Sequence, residues 1–395
     1  MIYRCKNCGG NAVYSPEKGT MFCPSCEGTD CEEPYIPSES ANLLLCPNCG
    51  GELPLEKFTS ALKCPFCDNY LILDERLEGA YQPRMIAPFR VGMEEVKTKI
   101  RERFGKMKFV PKDLVSDAKL DGMQGWYVPF WFYDYDTELI FDGVCTHVKT
   151  WKDEKFEYAE RSDYDVHRNL GVNFRKLPVD ASDAMPDSTM DLLAPFHYDD
   201  TVAYDSRLLS GFYAEQYNQS STALEERAKK LMESSANTIL NDSISKGPEC
   251  NYQENNAVNR RTDVKSRDVQ FGLMPVWKYD YIYHDQHYPF YINGQTGKIV
   301  GDTPVDKTKV LLCSALAGIV LALILYFAMN SIPAAIIGFF IAGGIFAGTN
   351  LRQRMSGNTT TAMTYVADSS VKVNLSSDRF ITKRLDKKPL PPKQN

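Results

Sequence analysis

The run VLLCSALAGIVLALILYFAM (Val310–Met329), the pair Asn330-Ser331 and the run IPAAIIGFFIAGGIFAG (Ile332–Gly348) contain no charged residue. At a helical rise of about 1.5 Å per residue, the first run spans roughly the 30 Å of a bilayer's hydrocarbon core. A buried core helix is the competing reading for either run alone. Two adjacent runs without a polar face point instead to a transmembrane helical hairpin over 310–349. Ser314, Gly318 and Ala322 in the first run, and Ala334, Gly338 and Ala342 in the second, recur every four residues, a spacing that lets helices pack closely. The lack of intramembrane charge argues for an anchor and against an ion pathway.

The flanks set the orientation. Lys307 and Lys309 precede the first run, Arg352 and Arg354 follow the second, and the link between the runs is uncharged. The excess of positive charge on both flanks predicts that they, and both termini, lie on the cytoplasmic side of the inner membrane. The opening MIYRCKNCGG offers no apolar signal-peptide core.

The net charge of −6 is unevenly placed. Residues 1–80 hold six basic residues against twelve acidic ones, whereas the tail from Leu351 holds nine basic residues against Asp368, Asp378 and Asp386. Beside a membrane such a tail is attracted to anionic lipid; as a solvated tail it needs no partner. Its alternating Val371, Val373 and Leu375 could add a strand to a partner's sheet, and KKPLPPKQN reads as disordered.

Nine of the twelve cysteines fall before residue 68. In a reducing cytoplasm that density reads as metal ligation rather than disulfides. Cys5, Cys8, Cys23 and Cys26 form two CxxC pairs with fourteen residues between them, and Cys46, Cys49, Cys64 and Cys67 repeat the pattern 41 residues later. Each CxxC turn aims two sulfurs at one metal, and the intervening segment is long enough for a strand, turn and strand. Four thiolates then close a tetrahedral structural zinc site, two Zn2+ ions in all, with no position open for substrate. Iron–sulfur and dithiol redox chemistry use the same residue types. Cys31 has no counterpart in the second set and reads as a spare thiol or a substitute ligand. The acidic balance of both modules opposes a phosphate backbone and favours protein partners, with Phe66, Tyr70 and Leu71 as candidate apolar contacts or as packing between the modules.

The middle of the chain mixes helix and strand patterns. Met93, Val96, Ile100 and Phe104 share a helical face, and Thr222 with Glu225 predicts a capping box for a helix bearing Leu224, Leu231 and Ile239. Tyr127–Tyr135 (YVPFWFYDY) and Leu273–Tyr281 (LMPVWKYDY) share Pro, Trp, Tyr, Asp and Tyr at equal offsets, an internal repeat. A proline in each predicts an edge strand or a strand start. Tyr291–Val300 (YINGQTGKIV) predicts a hairpin. The aromatic residues of the two repeated motifs read as core or as a ligand groove. His284 and His287 on one strand would point to opposite faces, and Cys145 near His147 lacks a nucleophile signature. No nucleotide-binding loop or catalytic motif stands out, so the expectation is a protein that is not an enzyme.

Taken together, the expected fold is multidomain. It has zinc ribbons over 1–35 and 41–78, an α+β cytoplasmic domain over 84–304, the hairpin over 310–349 and a basic tail over 350–395. CPNCGG with CPFC, GWYVPFW, LSGFYAEQY (Leu209–Tyr217) and LMPVW followed by YINGQTGKIVGD resemble the bacterial TFIIB-type zinc-ribbon membrane proteins, some of which carry helicase-like or replication-like labels. The resemblance implies a membrane adaptor or scaffold for membrane-organising proteins, flotillin-like SPFH scaffolds or phage-shock-type coat proteins, in envelope stress. A membrane-tethered nucleic-acid binder and a ligand sensor or enzyme in the aromatic middle domain are the alternatives.

Overall fold

The computed structural model describes residues 1–35, 45–246, 251–351 and 366–389. The linker Ile36–Ser40, the first residues of the second ribbon, Arg352, Arg354 and the end of the chain beyond Pro389 lie outside the described residues. Contacts divide the chain into two units: Met1–Pro129 with Ser182–Asn218 and Gly272–Thr359, and Phe130–Ala181 with Gln219–Phe271 and Thr360–Asn395.

The first unit holds both cysteine modules, the helix Met93–Phe104 and two apolar helices. The helix buries Val96, Ile100 and Phe104, as their spacing predicts. Aromatic packing makes its core: Phe89 stacks on Phe212 with ring centroids 4.1 Å apart and meets Tyr127 and Trp277 edge-on. The predicted hairpin at Tyr291–Val300 is present, with Tyr291 opposite Val300 and Ile292 opposite Ile299. Asn293 Oδ1 closes its turn by accepting from the amides of Gln295 and Thr296.

Neither proline of the repeated motif ends its strand. The strand Gln124–Lys152 pairs Trp126 and Tyr127 with Tyr213 and Ala214 in parallel, and beyond Pro129 it pairs Phe130 with Asp180. The strand Glu254–Tyr283 pairs Gly272 and Leu273 with Met85 and Ile86 in parallel, and beyond Pro275 pairs Val276 with Asn293 antiparallel. Each proline therefore sits where the strand changes partner, a position that needs no amide donor. The tryptophans are tethered alike. Trp277 Nε1 donates to the carbonyl of Val91, two residues before the helix that starts at Met93, and Trp131 Nε1 donates to Gln219, two residues before the helix that starts at Ser221.

Two helices, Lys307–Met329 and Ile332–Leu351, end the first unit. Among the described residues they are the ones long and apolar enough to cross a membrane. Asn330 adopts a left-handed conformation and caps the first helix through its amide to the Tyr326 carbonyl. The helices meet at small residues: a Cβ at Gly318 would lie 2.8 Å from Phe339, and one at Gly338 would lie 2.4 Å from Leu325. Their outer faces stay bare, with Phe327 80% and Phe340 69% exposed. The base is joined to the unit through Asp306, whose amide donates to Phe109, and through the edge-on pair Phe109–Phe346.

In the second unit the strands Gln124–Lys152 and Phe156–Asp180 form a long antiparallel ladder from Phe130 onward. The helix Ser221–Ser245 packs there through Leu224, Ala228, Met232, Ala236, Leu240 and Ile244. Its cap is Ser220, whose hydroxyl accepts from Ala223, and not the expected Thr222–Glu225 box, since Glu225 is turned to Arg267. Leu231 and Ile239 lie at the margin of the buried face.

The tail corrects its own reading. Val366–Pro389 is a strand laid antiparallel along Phe156–Asp180, so the alternating segment completes this chain's sheet instead of a partner's. Its cations meet acids across the ladder: Arg379 with Asp165 at 2.8 Å, Lys383 with Glu160 at 2.7 Å and Arg384 with Asp163 at 3.0 Å. Arg168, buried, grips Asp378, which also accepts from Tyr252 at 2.6 Å. Three of the tail's nine cations are thus paired with acids within the sheet.

Candidate metal centres

Each CxxC turn is built the same way. The amide of the first cysteine donates to the carbonyl five residues on, and its own carbonyl accepts from the amide four residues on: Gly10 and Gly9 for Cys5, Gly28 and Glu27 for Cys23, Gly51 and Gly50 for Cys46, Asn69 and Asp68 for Cys64. The fourth-following residue is left-handed in all of them, with φ of 72°, 58°, 74° and 59°. Glycine removes the steric cost of that conformation at Gly9 and Gly50, whereas Glu27 and Asp68 bear it. Amides of Asn7 and Cys8 lie against the Cys5 sulfur, and those of Asn48 and Cys49 against the Cys46 sulfur.

The two knuckles of each set converge. Cys5, Cys8, Cys23 and Cys26 form one cluster and Cys46, Cys49, Cys64 and Cys67 the other, with the sulfurs of each within 4.8 Å of one another. Cys5 to Cys26 is 3.6 Å and Cys8 to Cys23 is 3.5 Å; Cys46 to Cys67 is 3.7 Å and Cys49 to Cys64 is 3.8 Å. A tetrahedral zinc with bonds of about 2.3 Å sets its sulfurs roughly 3.8 Å apart. The donor sets therefore fit zinc, and a bound ion would tie each pair of knuckles together. The first cysteine of every knuckle is buried, while Cys8, Cys26 and Cys49 are exposed.

The modules differ outside the sulfurs. In the first, Val13–Ser15 and Thr20–Phe22 form the expected hairpin between the knuckles. In the second, one strand, Thr59–Lys63, stands between them and pairs with Tyr70–Ile72 on one side and Tyr213–Glu215 on the other. Cys46 and Cys64 share a core with Ile2, Leu53, Leu62, Leu71 and Leu73, whereas the buried cluster around Cys5 and Cys23 adds Cys31 alone. Leu71 is thus core, Tyr70 sits edge-on to Tyr213, and Phe66 at the knuckle tip is 68% exposed.

The LSGFYAEQY segment, Leu209–Tyr217, joins the two modules to one body. Ser210 accepts from Tyr14 through its carbonyl and donates from its hydroxyl to Ala12, both in the first module. Phe212 enters the aromatic core, Tyr213 stacks on Trp126 and packs on the second module, and Ala214 pairs with Ala61. Nine consecutive residues thus hold both metal modules to one body.

The remaining candidates do not assemble. His284 sits in a turn with φ of 49°, its ring against Tyr283, while His287 turns to Asp280 at 2.8 Å. The turn, not strand alternation, separates them. Burial pushes the Cys145 thiol up to about 11, and His147 faces the Asn251 carbonyl.

No family model matches the chain, and no solved structure matches it. The chain is 30% identical over 317 residues to the uncharacterized protein YdjG of Bacillus subtilis (strain 168), a span of 78% of this chain and 91% of that protein. With that identity carried across most of both chains, this chain belongs to the family of the Bacillus subtilis protein YdjG.

Proposed function

We propose that this protein is a membrane-anchored zinc-ribbon adaptor that recruits protein partners at the cytoplasmic face of the inner membrane. The observation that carries the reading is the second cysteine module. Its metal-ligand set is complete and fixed in a core, yet its knuckle tip presents Phe66, 68% exposed, to solvent. A closed tetrahedral site has no coordination position for substrate, so its use is to hold a surface in shape. An exposed aromatic on a rigid turn is the kind of group that anchors a protein interface. The bare apolar faces of Lys307–Met329 and Ile332–Leu351 support the anchor, and Lys307 and Lys309 support a cytoplasmic body.

The acid excess of residues 1–80 weighs against nucleic acid as the partner. For a ligand sensor, the open depression over Gly171 is the nearest support, and its Glu138 is already engaged by Lys265 at 2.6 Å. The similar tethering of Trp131 and Trp277 supports the repeated aromatic motif as a duplicated structural unit.

The test is quantitative capture from detergent-solubilised membranes with the full chain as bait. Partners of the flotillin-like or phage-shock type should be recovered with wild type and lost with Phe66→Asp, a variant expected to keep its metal content. Equal recovery with Phe66→Asp and with Cys46→Ser/Cys49→Ser would rule the ribbon surface out.

A further inference from the structure

The duplication supplies its own control for Cys31. Advanced by the 41-residue repeat, its position in the second module is Ile72, a buried aliphatic residue. In the first module a thiol stands there, and its Sγ lies 3.2 Å from Cys5 Sγ, closer than any of the ligand pairs quoted above. Cys5 ends the strand Ile2–Cys5, and Cys31 immediately precedes the strand Glu32–Tyr35 that pairs with it. Cys5 is opposite Glu32, one step from Cys31, and the Lys6 amide donates to the Cys31 carbonyl. Adjacent antiparallel strands bring such neighbours within the Cα range that a disulfide spans. Gly28 leaves the space open, since a Cβ there would lie 3.0 Å from Cys31 Sγ and 3.4 Å from Cys26 Sγ.

Four cysteines complete a zinc tetrahedron, so Cys31 has no coordination position and its sulfur lone pairs stay uncommitted. All four cysteines of the second cluster belong to its candidate ligand set. We propose that the first ribbon is a peroxide-sensitive centre in which Cys31 is the resolving thiol, closing a disulfide with Cys5 and releasing zinc while the second ribbon keeps its own.

The Cys5 thiolate attacks one oxygen of hydrogen peroxide, the O–O bond breaks, and the departing hydroxide takes a solvent proton to become water. This leaves Cys5 as a sulfenic acid. The Cys31 sulfur attacks the Cys5 sulfur, the S–O bond breaks, and the Cys31 proton leaves with that hydroxide as a second water. The two sulfurs lose two electrons and the peroxide gains two. With Cys5 no longer a thiolate, Cys8, Cys23 and Cys26 would be left as ligands and a zinc ion there would be held more weakly. Exposed Cys8 and Cys26 mark the side from which a small oxidant reaches the cluster. In the second ribbon, Ile72 offers no resolving thiol.

This inference rests on zinc occupying both clusters, so the experiment measures that first. The full chain is purified in detergent and its zinc content determined, then treated with equimolar hydrogen peroxide. Zinc release is followed by a chromogenic chelator, and disulfides are mapped by mass spectrometry without reduction. The expected result is two zinc ions at the start, one released, and a Cys5–Cys31 disulfide that dithiothreitol reverses. Cys31→Ile, which copies the second ribbon, and Cys31→Ala as a smaller alternative should bind two zinc ions and release the first at least about tenfold more slowly, because the adjacent thiol is lost. A protein without zinc overturns this inference together with the metal reading. Two bound ions with equally fast release from the Cys31 variants, or disulfides confined to ligand cysteines, overturn it alone.

Discussion

The two cysteine modules share ligand spacing and knuckle geometry and differ in what surrounds them. In the second, Cys46 and Cys64 lie in an apolar core, and the strand Thr59–Lys63 is paired on both edges. In the first, the knuckles carry a small private hairpin, and the module is attached through polar contacts at Ser210, Ser206 and Arg207 and through Ile2 and Tyr35, which pack into the second module's core. The lesson is that one metal-site design serves two tasks. The second module's knuckles lie in the unit's core, whereas the first module's lie outside it and reach that core through Ile2 and Tyr35.

Removing the metal should separate them most. Cys46→Ser/Cys64→Ser should abolish zinc binding at that cluster, a ligand worth on the order of 10 kcal/mol to a small domain, and would leave polar atoms in a shared core. Hydrogen exchange should then rise through the first unit, including the aromatic cluster around Phe89. Cys5→Ser/Cys23→Ser should also lose one zinc, with faster exchange concentrated in residues 1–35 and a smaller rise around Leu62, where Ile2 packs. An equal spread from both double variants would break the distinction.

Core truncation is the next step down. Leu62 and Met21 occupy equivalent places in the repeat, and both are buried, at 3% and 4% exposure. Leu62→Ala should cost about 2–5 kcal/mol in thermal or denaturant unfolding of the unit, the usual range for a buried aliphatic side chain. Met21→Ala should leave that transition nearly in place and act on the first module's local stability. If the two shift the transition equally, the first module is as much a part of the core as the second.

How much of this was legible follows from which interactions are local. The cysteine spacing revealed both clusters because the knuckle's hydrogen bonds close within five residues. Val96, Ile100 and Phe104 declared their helix by periodicity, and the apolar runs declared theirs by length. The place of Cys31 beside Cys5 depended on a pairing of strands that spacing alone does not give. Thr222 and Glu225 spell a capping box, but the cap is Ser220, two residues earlier, which has no acidic residue three positions on to mark it. The tail misled most. Its Lys and Arg content suggested solvent or lipid, but the acids that answer it lie about two hundred residues earlier, on Phe156–Asp180. The seam at Leu209–Tyr217 was visible as a motif and silent as to role, since its partners are spread over both modules.

A smaller effect isolates the strap from the metal. Ser210→Ala removes the hydroxyl that donates to Ala12 at 2.7 Å, leaving a buried carbonyl short of a partner. A loss of about 1 kcal/mol is expected, with both zinc ions retained. Faster exchange at Ala12 and Tyr14, with no change around Leu62, would be the signature.

The smallest effect belongs to Arg207, which meets Glu32 of the first module at 3.3 Å and Asp205 at 2.7 Å. Burial alone would raise the Asp205 carboxyl, but Arg207 and its backbone amide outweigh it and hold the group below the usual carboxylate range. A folded-state value below the unfolded one stabilises the fold above the ordinary carboxylate range, and that contribution is lost as acid protonates Asp205. Arg207 is half exposed, so Arg207→Met should cost less than about 1 kcal/mol at neutral pH and still less in high salt. The comparison with Ser210→Ala is the sharper reading: an ion pair should fade with salt, and a buried hydrogen bond should not. If salt weakened the first module in Ser210→Ala and wild type alike, with Arg207→Met insensitive, the strap would be electrostatic and Arg207 its main tie.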